Sequence, residues 1–258
     1  MNDPHVKYLK YTIAKSDGLR FDDPPDLEID TSDFKGMLSN GILTLEPKQH
    51  FESEDQVLPI ADEFVRSWEL SAGLKYNRPY FRLNFHASQI IDRKPEKNLA
   101  SVHNSSHTTC SGEVTSVQIS REYPPPPQNF NLTEEIEILW FRYCEYLEDR
   151  APLKYMTYAC HTLLQNLKNI SKNNDEEFSI SNNVLVKISE LSSQKGNKRT
   201  ARKIIKNLKD FEGNEKQWLE SVIPSIIKHL ATCKPGQKLN ISDLPIQLKI
   251  RDPESSSE

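Results

Sequence analysis

The sequence predicts an α+β protein, with an N-terminal antiparallel sheet carrying a covering helix and a helical domain after it. Three observations lead there. Apolar and polar residues alternate with a period near two in several segments before residue 122, four consecutive prolines interrupt the chain at 124–127, and beyond them apolar residues recur at three and four. The spacing divides the chain into a sheet domain over 1–122, a proline-rich spacer over 123–131, a helical domain over 132–250 and a polar, disordered tail over 251–258.

Residues 5–14, HVKYLKYTIA, are rich in Val, Tyr, Ile and Thr and run into KSDG, which predicts a strand ending in a turn. The acidic stretch 22–33 has few apolar residues and two prolines, so a surface connection is expected. FKGMLSNGILTLEP then places two apolar runs around Asn40-Gly41, a step that supplies the positive φ of a tight hairpin. Ser53 and Gln56 fit a capping box, and Ala61, Phe64, Val65, Trp68 and Ala72 make one apolar helix face; Pro59 fits only in a first turn. Phe81, Leu83 and Phe85, then Val114, Val117 and Ile119, alternate as half-buried antiparallel strands do.

The run YPPPPQNF must be extended, because proline fixes φ and removes the N–H donor; a stiff spacer is the expected role. Ile136, Leu139, Trp140, Tyr143 and Leu147 then form a helical stripe that Phe141 and Cys144 widen. A second helix begins near Pro152, with Leu153, Met156, Cys160 and Leu164 on its apolar face, and a short joint makes the two an antiparallel pair. After a polar loop at 171–177, Ser181 or Asn182 caps a short helix through Leu191. A last helix spans about Asn214 to Ala231 with Pro224 inside it, and GQKLNISDLP reads as a short returning strand.

Charge is divided unevenly. Residues 1–150 hold 16 Lys plus Arg against 25 Asp plus Glu, and residues 151–258 hold 17 against 12. An anionic partner would therefore meet the C-terminal part, or the two halves would attract each other or a second copy. The opening residues lack an apolar leader, no run is long enough to span a membrane, and the four cysteines form no CxxC pair, so a cytoplasmic protein without disulfides, membrane contact or cofactor is expected.

The sharpest charge feature is QKGNKRTARKIIKNLK, residues 194–209, with seven cations and no acid. Ala201, Ile204, Ile205 and Leu208 share one side of a helix, opposite most of the cations. With the preceding short helix the arrangement loosely resembles a helix-turn-helix, although its connection is longer. Lys195, Lys198, Arg199, Arg202, Lys203, Lys206 and Lys209 are the candidate nucleic-acid contacts, suited to neutralising phosphates without reading bases; Asn197 and Thr200 are weaker candidates for base edges. Aromatic stacking partners are absent from the stretch.

Other chemistry is less well supported. His103, His107 and Cys110 lie close in sequence, with His86 as a distant fourth, and zinc accepts such donors, but the spacing matches no known metal motif. Cys160 and His161 are adjacent, which on a helix turns their side chains apart, and Glu134, Glu135 and Glu137 are explained by the positive end of their helix. The Arg-x(4–6)-His signature of helical ribonucleases is missing: Arg82 and His86 are one residue too close, and Arg150 and His161 too far apart. The expectation is a non-catalytic binding protein, a nucleic-acid-associated accessory or regulatory factor; the alternatives are a protein-protein scaffold or homo-oligomer subunit, and a metal-assisted hydrolase using His86, His103, His107 and Cys110.

Overall fold

The computed structural model describes residues 3–15, 18–94, 118–173, 178–195, 210–233 and 237–244. It resolves into two compact units, Met1–Phe130 and Asn131–Glu258. The fold is α+β, with the antiparallel sheet first and the helices after it.

In the first unit the strands are β1 (Pro4–Ile13), β2 (Leu19–Phe21), β3 (Leu27–Asp30), β4 (Phe34–Ser39), β5 (Ile42–Pro47), β6 (Leu83–Asp92) and β7 (Gln118–Ser120). Five form one sheet in the order β3-β4-β5-β1-β6, all neighbours antiparallel. A register shift between Val6 and Tyr8 resets the phase of β1, so Val6, Leu9 and Tyr11 are all buried despite their uneven spacing. The β4–β5 hairpin turns at Asn40 and Gly41, whose φ values are 50° and 74°, the two positive dihedrals that a two-residue loop demands. Helix α1 (Glu54–Tyr76) shares this core through Val57, Ala61, Val65 and Trp68.

Several expectations change here. Leu27–Asp30, expected as surface connection, is a short edge strand: the prolines fall at 24 and 25, leaving the alternating Leu-Glu-Ile-Asp free to pair with β4 and bury Ile29. Gln118–Ser120 pairs in parallel with β2 rather than joining an antiparallel sheet, and Ile119 is 65% exposed; Val114 and Val117 lie outside the described residues. Pro59 is the sixth residue of α1, beyond its first turn. Gln56 does reach back as a cap, but to the Glu52 N–H at 2.9 Å, while the Ser53 side chain makes no cap bond. The start of the proline run is built into this unit. Tyr123 is buried and its hydroxyl accepts the Gly41 N–H at 2.9 Å, and the Trp68 indole N–H donates to the Pro124 carbonyl at 3.0 Å.

The second unit contains α2 (Glu134–Leu147), α3 (Leu153–Asn173), α4 (Asn182–Gln194) and α5 (Gly213–Thr232). Thr133 caps α2 by accepting the Ile136 N–H at 3.4 Å. Ile136, Leu139, Tyr143, Met156, Leu164, Ile188, Trp218 and Val222 are buried as the helical periodicity requires. Phe141 does not widen that stripe: it is 51% exposed, while Cys144 on the same helix is buried. Helix α3 runs through Asn173, so the polar loop starts later than its composition suggests. The expected strand near 239 reduces to one parallel bridge between Leu239 and Ile180 and a 3-10 turn at Ile241–Asp243.

Helix α5 continues through Pro224. Proline at 224 removes the N–H that would reach the carbonyl of Glu220, and the Tyr143 hydroxyl of α2 donates to that carbonyl instead, at 3.1 Å. Among the described residues no helix is long and apolar enough to cross a membrane.

Candidate functional site

The basic segment starts at the end of α4. Lys195, the residue that caps that helix, extends its ammonium to the start of α5, 2.9 Å from Glu215 and 3.5 Å from Glu212. These two glutamates also form the α5 capping box, in which the Glu212 N–H donates to Glu215 at 2.9 Å. Burial alone would push the Lys195 ammonium down, but the hydrogen bond and charge of Glu215, followed by those of Glu212, hold its pKa above the ordinary lysine value. Lys195 is therefore engaged by carboxylates and joins the ends of α4 and α5. Lys198, Arg199, Arg202, Lys203, Lys206 and Lys209 lie outside the described residues, as do Asn197 and Thr200.

Of the metal candidates, His103, His107 and Cys110 also lie outside the described residues. His86 is exposed on β6, and the described residues contain no group of three or more His, Cys, Asp or Glu side chains placed to hold one ion. Cys160 and His161 diverge, as their adjacency on a helix requires. Cys160 is buried in the helical core and its thiol is pushed up to about 12, a value at which no thiolate nucleophile forms near neutrality. His161 lies instead 3.4 Å from Gln165, one turn along α3, and partial burial pulls its pKa below the ordinary histidine value.

Two clusters escape sequence reading because their members come from different elements. On α2 and α3 the Arg142 guanidinium lies over the rings of Phe141 and Tyr155, 5.5 and 5.7 Å from their centroids, and bonds Glu145 at 2.8 Å. Phe141, Tyr155 and Tyr158 are all exposed, so this surface presents aromatic faces beside a cation. Along α1, three carboxylates bind the sheet: Glu54 accepts from Ser88, Asp62 from the Tyr11 hydroxyl at 3.0 Å, and Glu69 from the Leu83 N–H at 2.6 Å. Their spacing of eight and seven residues was legible as one helix face, but their partners on β1 and β6 were not.

Asp62, Glu69, Arg66 and Tyr11 line a cleft of about 380 Å³ between α1 and the sheet. Desolvation raises the Glu69 pKa, against the Leu83 amide and the Arg82 and Arg66 charges, and desolvation followed by Asp62 raises the Tyr11 phenol far above its usual range. Each polar group of this seam that faces the sheet already has a bonding partner there, so the row reads as an attachment of helix to sheet. Compared with known proteins, the chain matches no family model, no curated protein and no solved structure.

Proposed function

We propose that this protein is a non-catalytic, nucleic-acid-associated accessory or regulatory protein that grips phosphates through the basic segment after α4. The observation that carries the reading is the concentration of charge. Residues 195–209 hold seven cations and no acid, whereas the rest of 131–258 holds 12 cations against 18 acids. A local excess in an otherwise acidic surround resists being explained as a uniformly solvated surface, and phosphate is the partner whose charge density matches it. Because Lys195 is engaged by Glu215 and Glu212, the phosphate contacts fall to Lys198, Arg199, Arg202, Lys203, Lys206 and Lys209.

The exposed rings around Arg142 add a surface on which unpaired bases stack. A second reading, docking of the basic segment on an acidic protein surface, draws on residues 1–130, which hold 14 cations against 19 acids.

The test is binding of the full-length protein to labelled duplex DNA, single-stranded DNA and RNA across a salt series. Six phosphate contacts predict a log–log slope of about −5 on duplex and about −4 on single strands. An Arg199→Glu, Arg202→Glu, Lys203→Glu, Lys206→Glu variant with an unchanged circular dichroism spectrum should lose binding to all three. Absence of binding at low salt rejects the reading, and salt-sensitive self-association without nucleic-acid binding replaces it with the docking one.

A further inference from the structure

Outside the groups discussed so far, two histidines from distant parts of the sequence meet at one end of the first sheet. His5, at the start of β1, and His50, in the connection between β5 and α1, place their Nδ1 atoms 3.0 Å apart. The rings are 26° from parallel with centroids 5.2 Å apart, too far for their faces to overlap, so the contact is between ring edges. On the far side of His50, the Arg93 guanidinium lies 3.4 Å from Nε2, and the same Arg93 is paired with Asp3 at 2.9 Å.

This arrangement determines where the protons are. A guanidinium has donors and no acceptor, so Nε2 of His50 accepts from Arg93 and the ring proton sits on Nδ1. Nδ1 of His50 then donates to Nδ1 of His5, which places the His5 proton on Nε2. The Arg93 charge also opposes a dication at the pair, so the species shared between the rings is a proton.

One further proton can enter at Nε2 of His50 only by displacing the Arg93 donor there, and its charge is then offset by the Asp3 carboxylate, 3.9 Å away. The next has only Nδ1 of His5 to occupy. There it meets the Nδ1–H of His50 head to head, and two imidazolium charges stand beside Arg93 and Lys94, against the carboxylate of Asp3 and that of Asp92, which accepts the Asp3 and Lys94 N–H groups. We propose that the His5–His50 pair is a proton-operated latch that holds the start of β1 to the β5–α1 connection while Nδ1 of His5 accepts the His50 N–H, and releases it when acidification charges both rings.

The segment it holds is defined by the adjacent backbone bond, in which the Val6 N–H donates to the Phe51 carbonyl at 2.9 Å. The direction of titration agrees. Desolvation first, then the charges of Arg93 and His50, lower the His5 pKa against the opposing pull of Asp3. A base whose folded pKa lies below its unfolded value of 6.5 contributes stability that is complete above that value and is lost as the pH falls through the folded one.

The test is hydrogen exchange at the Val6 amide of the full-length protein, expressed as protection relative to an unstructured peptide, between about pH 7.5 and pH 5, where histidines titrate. Protection should fall by about tenfold across this range. His5→Gln and His50→Gln, each tested separately because only one has to fold, should abolish that dependence. Nitrogen-15 spectra of the imidazoles at neutral pH should show the proton on Nδ1 of His50 and Nε2 of His5. Flat protection in the unmodified protein, the same pH dependence in a folded variant, or the opposite pair of tautomers would overturn the latch.

Discussion

Glu69 shows how much one side chain can be asked to do at the join of a helix and a sheet. Its carboxylate accepts the Leu83 N–H at 2.6 Å and the Arg82 guanidinium at 3.1 Å, with only 13% of the side chain exposed. Burial still wins over these partners and raises its pKa, so the ionised form is held at a cost. The sign follows: a carboxyl whose folded pKa exceeds its unfolded one favours the fold most below the unfolded value of 4.5, and that contribution declines as the pH rises through the folded value. Glu69→Gln, which keeps an acceptor for Leu83, should be near neutral at pH 7 and remove this component from the pH dependence of urea unfolding. Glu69→Ala should cost about 1–3 kcal/mol, because a buried N–H loses its acceptor. The sequence analysis named only the apolar face of α1 and passed over Glu69, although its spacing from Glu54 and Asp62 puts the three on one side of the helix. Its function was not legible, because Leu83 and Arg82 return to it only after the chain has reversed into β6.

Two pairs of helices carry tests of their own. The Lys195–Glu215 pair joins α4 to α5 with both side chains largely buried, 13% and 12% exposed. A double-mutant cycle of Lys195→Gln and Glu215→Gln, read by thermal unfolding, should return a coupling of about 1 kcal/mol, at the upper end for ion pairs that water still reaches. A coupling of zero would mean that the cation is free for an external anion after all.

Between α2 and α5, Tyr143 supplies the hydrogen bond that Pro224 takes away from Glu220. Tyr143→Phe should therefore destabilise the protein by about 1 kcal/mol by removing the donor of a half-buried carbonyl, and the penalty should shrink in a Pro224→Ala background, where the helix restores its own donor. Periodicity placed Tyr143 in the core stripe and the proline inside the last helix. That one answers the other depends on which helices are neighbours, a question periodicity does not address.

At the scale of the whole molecule, charge is the feature that local structure does not account for. The chain carries a formal net charge of −4, yet it concentrates seven cations in residues 195–209, which is why steep salt dependence is the diagnostic for the proposed phosphate grip. Periods of two and of three to four, the Asn40-Gly41 step and the proline run were enough to set an antiparallel sheet with one helix ahead of a helical part, because each is a local rule that the chain obeys wherever it is placed. The strand order with β1 between β5 and β6, the parallel β2–β7 pair and the docking of Tyr123 and Pro124 beneath the hairpin and Trp68 came only from tertiary structure. So did the meeting of His5 with His50 and the capture of Lys195 by α5. Each of these joins residues 17 to 99 positions apart by hydrogen bonds or charges, interactions that leave no period in the sequence and exist only once packing has brought the partners together.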